Sequence, residues 1–280
     1  VYRGGNPNNY MTFNGETAGW RIIAFENDGT IKIIRNSSLV TKAFDDSGNR
    51  NNGNQNDYCS YAGGCSVWGS NKTMRDSNGL LINKMAFDLG GVWSYSNYID
   101  QLFNLPNKEA SINVFLNNDY YNTLDSKSKS SISSHIFNVG IIKPENATIY
   151  EDISQEKANT WLGNVGLINA TDYVKSSIAP ECDGLKTFLH QNMSSYGNSN
   201  CYSSNNNYNW ISKINSDLTT INPFSAFSSS GVLLYFTDRG YIHRMGANNE
   251  KSNFFPVLYL KSNLLLKGTG GIDSPYYIDD

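Results

Sequence analysis

Two apolar, β-prone segments bracket the chain: Trp20-Arg21-Ile22-Ile23-Ala24-Phe25 near its start and Pro256-Val257-Leu258-Tyr259-Leu260-Lys261 near its end. Short runs of β-branched and aromatic residues next to turn signals read as strands. Strands at both ends of a chain, with a long polar middle, predict a domain closed by its own two ends. The middle is then free to vary without opening the core.

The first segment belongs to a meander. Tyr10-Met11-Thr12-Phe13 leads through Asn14-Gly15, a strong turn dipeptide, into Trp20–Phe25 as a β-hairpin. Asn27-Asp28-Gly29 then turns the chain into Thr30-Ile31-Lys32-Ile33-Ile34-Arg35. Further on, residues 109–124 place Ile112, Phe115, Leu116 and Tyr120 on one helical face. Ser126 is a candidate cap for a second short helix carrying Ile132, Ile136 and Phe137. Val165 and Leu167 suggest a short strand, with Asn169 or Thr171 capping the turn through Tyr173-Val174. Cys182–Met193 reads as a helix with Leu185, Phe188 and Leu189 facing inward.

The last third reads as β again. Gly231–Thr237 meets the turn Asp238-Arg239-Gly240 and then Tyr241–Met245, while Ala247–Asn253 links to a strand over Phe254–Leu260. Gly268-Thr269-Gly270-Gly271 lacks the Lys-Ser/Thr of a phosphate loop and reads as a turn before Tyr276-Tyr277-Ile278. Strands at both ends with helices between them predict an α+β fold, one domain over 1–280.

Composition narrows the classes of partner. A net charge of −3, with no Lys/Arg cluster, argues against nucleic acid, whose phosphates need a concentrated basic face. No stretch reaches the roughly 20 apolar residues of a membrane helix. The chain opens on Val1, which points to a fragment or a processed form, with any signal or membrane anchor upstream. Asn and Ser make up about a quarter of the residues, far above ordinary usage. Two readings fit: the codon bias of a low-GC bacterial genome, and a recognition surface, since Tyr, Ser, Gly and Asn combine contact area with adaptable hydrogen bonding.

The four cysteines fall in two local groups, Cys59/Cys65 and Cys182/Cys201. Neither spacing is that of a zinc module, and an even number at wide spacing suits disulfides in an oxidising, extracellular compartment. Local pairing is expected among the three connectivities possible. Between Asp45 and Asp57 the chain is rich in Asn and Gly, and Asp45, Ser47, Asn49 and Asp57 could offer oxygens to calcium. No bidentate acid lies at the distance a calcium loop needs, so an exposed loop is the expectation, with calcium as the weak alternative.

Catalytic signals are sparse. His135, His190 and His243 form no metal-binding pair, and Gly-x-Ser-x-Gly is absent. The expectation is therefore a protein without catalysis or a cofactor. The most suggestive constellation lies in the Tyr/Asn/Ser-rich stretch 196–253. Aromatic faces stack on sugar C–H groups while amides and cations take the hydroxyls. Tyr208, Trp210, Tyr235, Arg239, Tyr241 and Arg244 are the candidate ligand-binding residues, with core packing as the competing role for each aromatic.

Several motifs, in order, carry a resemblance. Tyr10-Met11-Thr12-Phe13-Asn14-Gly15 with Trp20-Arg21-Ile22-Ile23, Val165-Gly166-Leu167-Ile168-Asn169-Ala170-Thr171-Asp172-Tyr173, Phe255-Pro256-Val257-Leu258-Tyr259-Leu260-Lys261-Ser262-Asn263 and Gly270–Tyr276 span most of the chain. Together they resemble an uncharacterised family of bacterial surface domains of Firmicutes and Mollicutes. Phe255 stands where that family has Arg. The resemblance implies export and display on the cell surface or a pilus behind an upstream leader or membrane helix. The expected partners are host or neighbouring-cell glycans or proteins, or like subunits.

More distantly, the terminal-strand arrangement is similar to C-type-lectin-like domains, including the formylglycine-generating branch, which implies a binding face in the late loops. The leading expectation is an adhesion or ligand-binding domain. A pilin-like assembly subunit is the alternative, and an enzyme of the formylglycine-generating type, which needs a reactive thiol, comes third.

Overall fold

The computed structural model describes residues 1–46, 50, 65–88, 100–144, 150–178, 188–190, 208–214, 218–224, 232–236 and 242–279; for 86–88, 100, 101, 103, 143–144, 150–154, 188–190, 224, 232–236 and 242–245 it describes the backbone alone. The fold is mixed α+β, with mostly antiparallel sheets and few helices among the described residues.

Its frame is a five-stranded antiparallel sheet in the order Tyr10–Phe13, Glu16–Phe25, Ile31–Arg35, Val257–Leu260, Val165–Gly166. Asn14 and Gly15 take positive φ values of 52° and 74°, the conformation a type I′ turn demands. Gly29 does the same at 84° in the second turn. The expected closure is present: Ile33 pairs with Leu258 and Lys32 with Tyr259, so the two bracketing segments lie on either side of Ile31–Arg35.

The C-terminal tail completes that closure. The backbone N–H of Thr12 donates to Tyr276 O at 2.7 Å, and Tyr276 N–H donates back to Tyr10 O at 2.8 Å. Tyr10 N–H reaches Gly270 O at 2.9 Å. The exposed edge of the first strand, which would otherwise offer unpaired backbone groups to another chain, is thus covered by the last residues.

Trp20, Ile22, Ile23, Ile33, Ile34, Val257 and Leu258 are fully buried, which places both faces of the frame in the interior. From the frame an aromatic spine runs outward. Tyr259 meets Phe137 at 5.2 Å between ring centroids, Phe137 meets Trp161 at 5.9 Å, Trp161 meets Trp68 at 5.7 Å, and Trp68 meets Phe44 at 5.9 Å. Tilted and edge-on pairs of this kind each contribute about 0.5–1.5 kcal/mol beyond area burial. The spine ties the frame to a three-stranded sheet of Arg75–Asp76, Asn159–Gly163 and His135–Asn138. Gly166 permits it: a Cβ at that position would overlap the Phe137 ring.

Local departures from expectation have physical causes. The second helix spans Ser126–Ser131 and its cap is Asp125, whose carboxylate accepts the Ser128 N–H at 2.7 Å. Ser-Lys-Ser-Lys-Ser-Ser has no apolar face to bury, so the helix stops, and Ile136 and Phe137 enter a strand instead. Residues 111–123 are helical as expected, passing from α to a π segment at Phe115–Tyr120 and back to α. Of the helix expected over 182–193, Phe188–His190 is a strand paired with Tyr150–Asp152, and the rest lies outside the described residues. The expected strand Phe254–Leu260 breaks at Phe255-Pro256, because proline has no N–H to continue a ladder. Ser252–Phe254 pairs with Val40–Lys42, and Val257–Leu260 joins the frame.

Candidate functional site

Of the sequence-predicted ligand residues, Tyr208 and Trp210 are described in full and Tyr235 and Arg244 by backbone alone. Trp210 is 0% exposed, its indole Nε1–H donates to Tyr2 O at 3.0 Å, and its ring faces the Arg21 guanidinium at 4.6 Å. Its aromatic face is spent inside the protein, so of its two roles packing is the one it fills. Tyr208 is half-buried against the core, with its carbonyl accepting the Ile178 N–H. Tyr235 and Arg244 sit on neighbouring strands, Tyr235 opposite His243 and Arg244 opposite Leu234. Arg239 and Tyr241 lie outside the described residues, as do Cys59, Cys182 and Cys201. Cys65 is fully buried and is not a free thiol.

A different set of polar residues converges on the frame. Lys32 lies amid the apolar run Ile31-Lys32-Ile33-Ile34, and a lysine buried on both sides by neighbours must find a counter-charge. It finds one in the helix Ala170–Lys175, whose first turn is fixed by Asn169 N–H donating to Asp172 Oδ2 at 3.0 Å. The same oxygen accepts from Lys32 Nζ at 2.6 Å, with side-chain exposures of 4% for the lysine and 12% for the aspartate. Asn169 Oδ1 accepts a second bond from Nζ at 3.3 Å, and the Tyr259 ring lies 5.3 Å from the ammonium.

Burial pulls the Lys32 pKa down, but the Asp172 carboxylate and Tyr259 together outweigh it and hold the lysine above its ordinary pKa. An ammonium held this way has no lone pair for nucleophilic or base chemistry at neutral pH. Tyr259 is raised by burial and partly pulled back by Lys32. His135 stacks on Tyr259 at 3.7 Å, and burial lowers its pKa against the opposing effect of Asp28, 3.9 Å away. Glu156 stands on the far side of the helix start, accepting the Thr171 N–H at 3.2 Å. Its burial, reinforced by the nearby Asp172 charge, pushes its carboxyl up to about 7.

Two further buried cations are also held by the protein itself. Arg50 donates to Asp45 Oδ2 at 2.8 Å and to the carbonyls of Cys65 and Val67 at 2.8 and 2.7 Å. Asp45 is therefore not an exposed calcium ligand, as one reading of its loop allowed: it is fully buried, and Ser111 N–H takes its other oxygen at 3.0 Å. Ser47, Asn49 and Asp57 lie outside the described residues. Arg21 is sandwiched between the Tyr10 and Trp210 rings, 4.1 and 4.6 Å from its guanidinium carbon, and donates to Asn9 Oδ1 and Pro7 O. Burial lowers its pKa to about 10.

Sequence reading missed the Lys32–Asp172 clasp, although the signal was present: a lysine in the centre of an apolar strand. Among the described residues no group of three His, Cys, Asp or Glu side chains is placed to hold a metal ion, and no helix is long and apolar enough to cross a membrane. Comparison of the chain with protein families, curated proteins and solved structures finds no match.

Proposed function

We propose that this chain is a bacterial cell-surface or pilus-associated domain that binds a glycan or protein ligand through the 196–253 region, with the strand frame as its scaffold. The observation that carries the reading is a neighbour relation in the frame. Gly166 pairs with Val257, so the chain leaves the frame and returns to it on adjacent strands. The described residues between them include part of the core that packs on the frame. The segment between these two strands contains the Tyr/Asn/Ser-rich stretch whose chemistry suits sugar hydroxyls and C–H faces. Two buried charges, Lys32 and Arg50, are held in internal ion pairs with Asp172 and Asp45, as a scaffold requires. The motif resemblance to bacterial surface domains, and a lectin-like arrangement of terminal strands, point the same way.

Glycan-array and pull-down binding by the intact chain tests this. Loss of binding in Tyr235→Ala and Tyr241→Ala, with thermal unfolding unchanged, supports the 196–253 face; binding like wild type in both moves the site elsewhere. A second reading, a pilin-like or surface-assembly subunit, is favoured by one feature. Ile136 and Leu162 form a cross-strand pair and are 56% and 53% exposed, a surface that a like subunit could cover. Light scattering that stays monomeric over a wide concentration range counts against it.

A further inference from the structure

A hollow of about 200 Å³ opens at the tip of the first hairpin, where three distant segments meet. Its walls are the Phe13-Asn14-Gly15 turn, the start of the Ser126–Ser131 helix with Asp125 and Lys127, and Tyr277 of the final strand. The volume is below the roughly 300–1,000 Å³ of drug-sized pockets and on the scale of a single small ring.

The lining combines one apolar side with a set of hydrogen-bonding groups. Phe13 is buried, and Tyr277, 45% exposed, brings an aromatic ring and a hydroxyl to the lining. Asp125 accepts Ser128 N–H at 2.7 Å through one oxygen and Ser128 Oγ–H at 3.0 Å through the other. The bonds from Ser128, helped by Lys127, hold the carboxyl below its usual range, so it is an anionic acceptor at neutral pH. Asn14 spends its Oδ1 on the Asp125 backbone N–H at 2.9 Å, which orients its amide and leaves the NH₂ as donor. Lys127 adds a cation to the same rim.

A carboxylate disfavours an anionic ligand and an ammonium disfavours a cationic one. A neutral molecule with one apolar face and several hydroxyls satisfies all of these groups. We propose that this hollow binds a single pyranose-sized polyol ring, its C–H face against Tyr277 and adjacent hydroxyls bridging Asp125 and Asn14. The site shares no residue with the 196–253 face, so the two readings stand or fall separately.

Saturation-transfer NMR on the intact chain, with glucose, galactose, mannose and N-acetylglucosamine as probes, tests it. The expected result is transfer to the ring protons of at least one sugar, with affinity reduced about tenfold in Tyr277→Ala and in Asp125→Asn. Asparagine still caps the helix, so the second variant keeps the fold. Tyr235→Ala is expected to leave this binding unchanged. No transfer from any of the four sugars, or undiminished binding in both variants, overturns the proposal.

Discussion

Lys32 and Asp172 set what single residues contribute here. Their attraction offsets a large desolvation cost, so removing one partner is far worse than removing both. Lys32→Met should destabilise the fold by about 3–5 kcal/mol, because it leaves the Asp172 carboxylate buried beside Glu156. Lys32→Met combined with Asp172→Leu should recover most of that loss; urea denaturation of the three proteins reads the comparison. Glu156 gives a pH signature. The folded chain holds its proton more tightly than the unfolded chain, whose carboxyl titrates near an ordinary 4.5. Its contribution is therefore full below that value and is lost as pH rises through about 7, a change of roughly 3 kcal/mol. His135, lowered by burial, acts in the opposite sense, losing its contribution as pH falls below its ordinary 6.5. Comparing wild type with Glu156→Gln from pH 5 to 8 isolates the glutamate, and the variant should show a smaller fall in stability with rising pH.

Elements were legible where local chemistry alone decides them. Asn14-Gly15 can hardly do anything but turn, and the three strands it helps to join are present as expected. The Ile112/Leu116/Tyr120 stripe marks a real helix, since those positions are buried together. Reading failed where a tertiary partner decides. Asp125 outcompetes Ser126 as a cap because it reaches both the Ser128 N–H and its hydroxyl. Ile136 and Phe137 look helical by spacing, but a strand partner in Asn159–Gly163 claims them. Trp210 reads in sequence as either a binding platform or a core residue, and only the fold, which buries it against Arg21, decides between them. The Asp125 cap is testable. Asp125→Ala should cost about 1 kcal/mol and Asp125→Asn much less, measured by thermal unfolding. Gly166→Ala should be the more damaging change, since Phe137 occupies the space the new methyl needs.

The molecule as a whole is organised by where its ends meet. Ile31–Arg35 receives Val257–Leu260, the tail from Gly270 to Tyr276 covers the edge of Tyr10–Phe13, and Val165–Gly166 borders the other side. Buried residues from Met11 to Leu260 join one hydrophobic cluster, so the frame and the aromatic spine share a core. That arrangement also sets Asp172 against Lys32 and Trp210 against Arg21, so part of the chain between Gly166 and Val257 belongs to the same core. It also predicts that the two ends are one cooperative unit. Hydrogen exchange of the intact chain, followed amide by amide, tests this most directly. Amides of Glu16–Phe25, Ile31–Arg35 and Val257–Leu260 should exchange last and together, with one shared opening free energy and one shared denaturant dependence. Release of the Val257–Leu260 amides well before those of the N-terminal strands would contradict a frame closed by both ends.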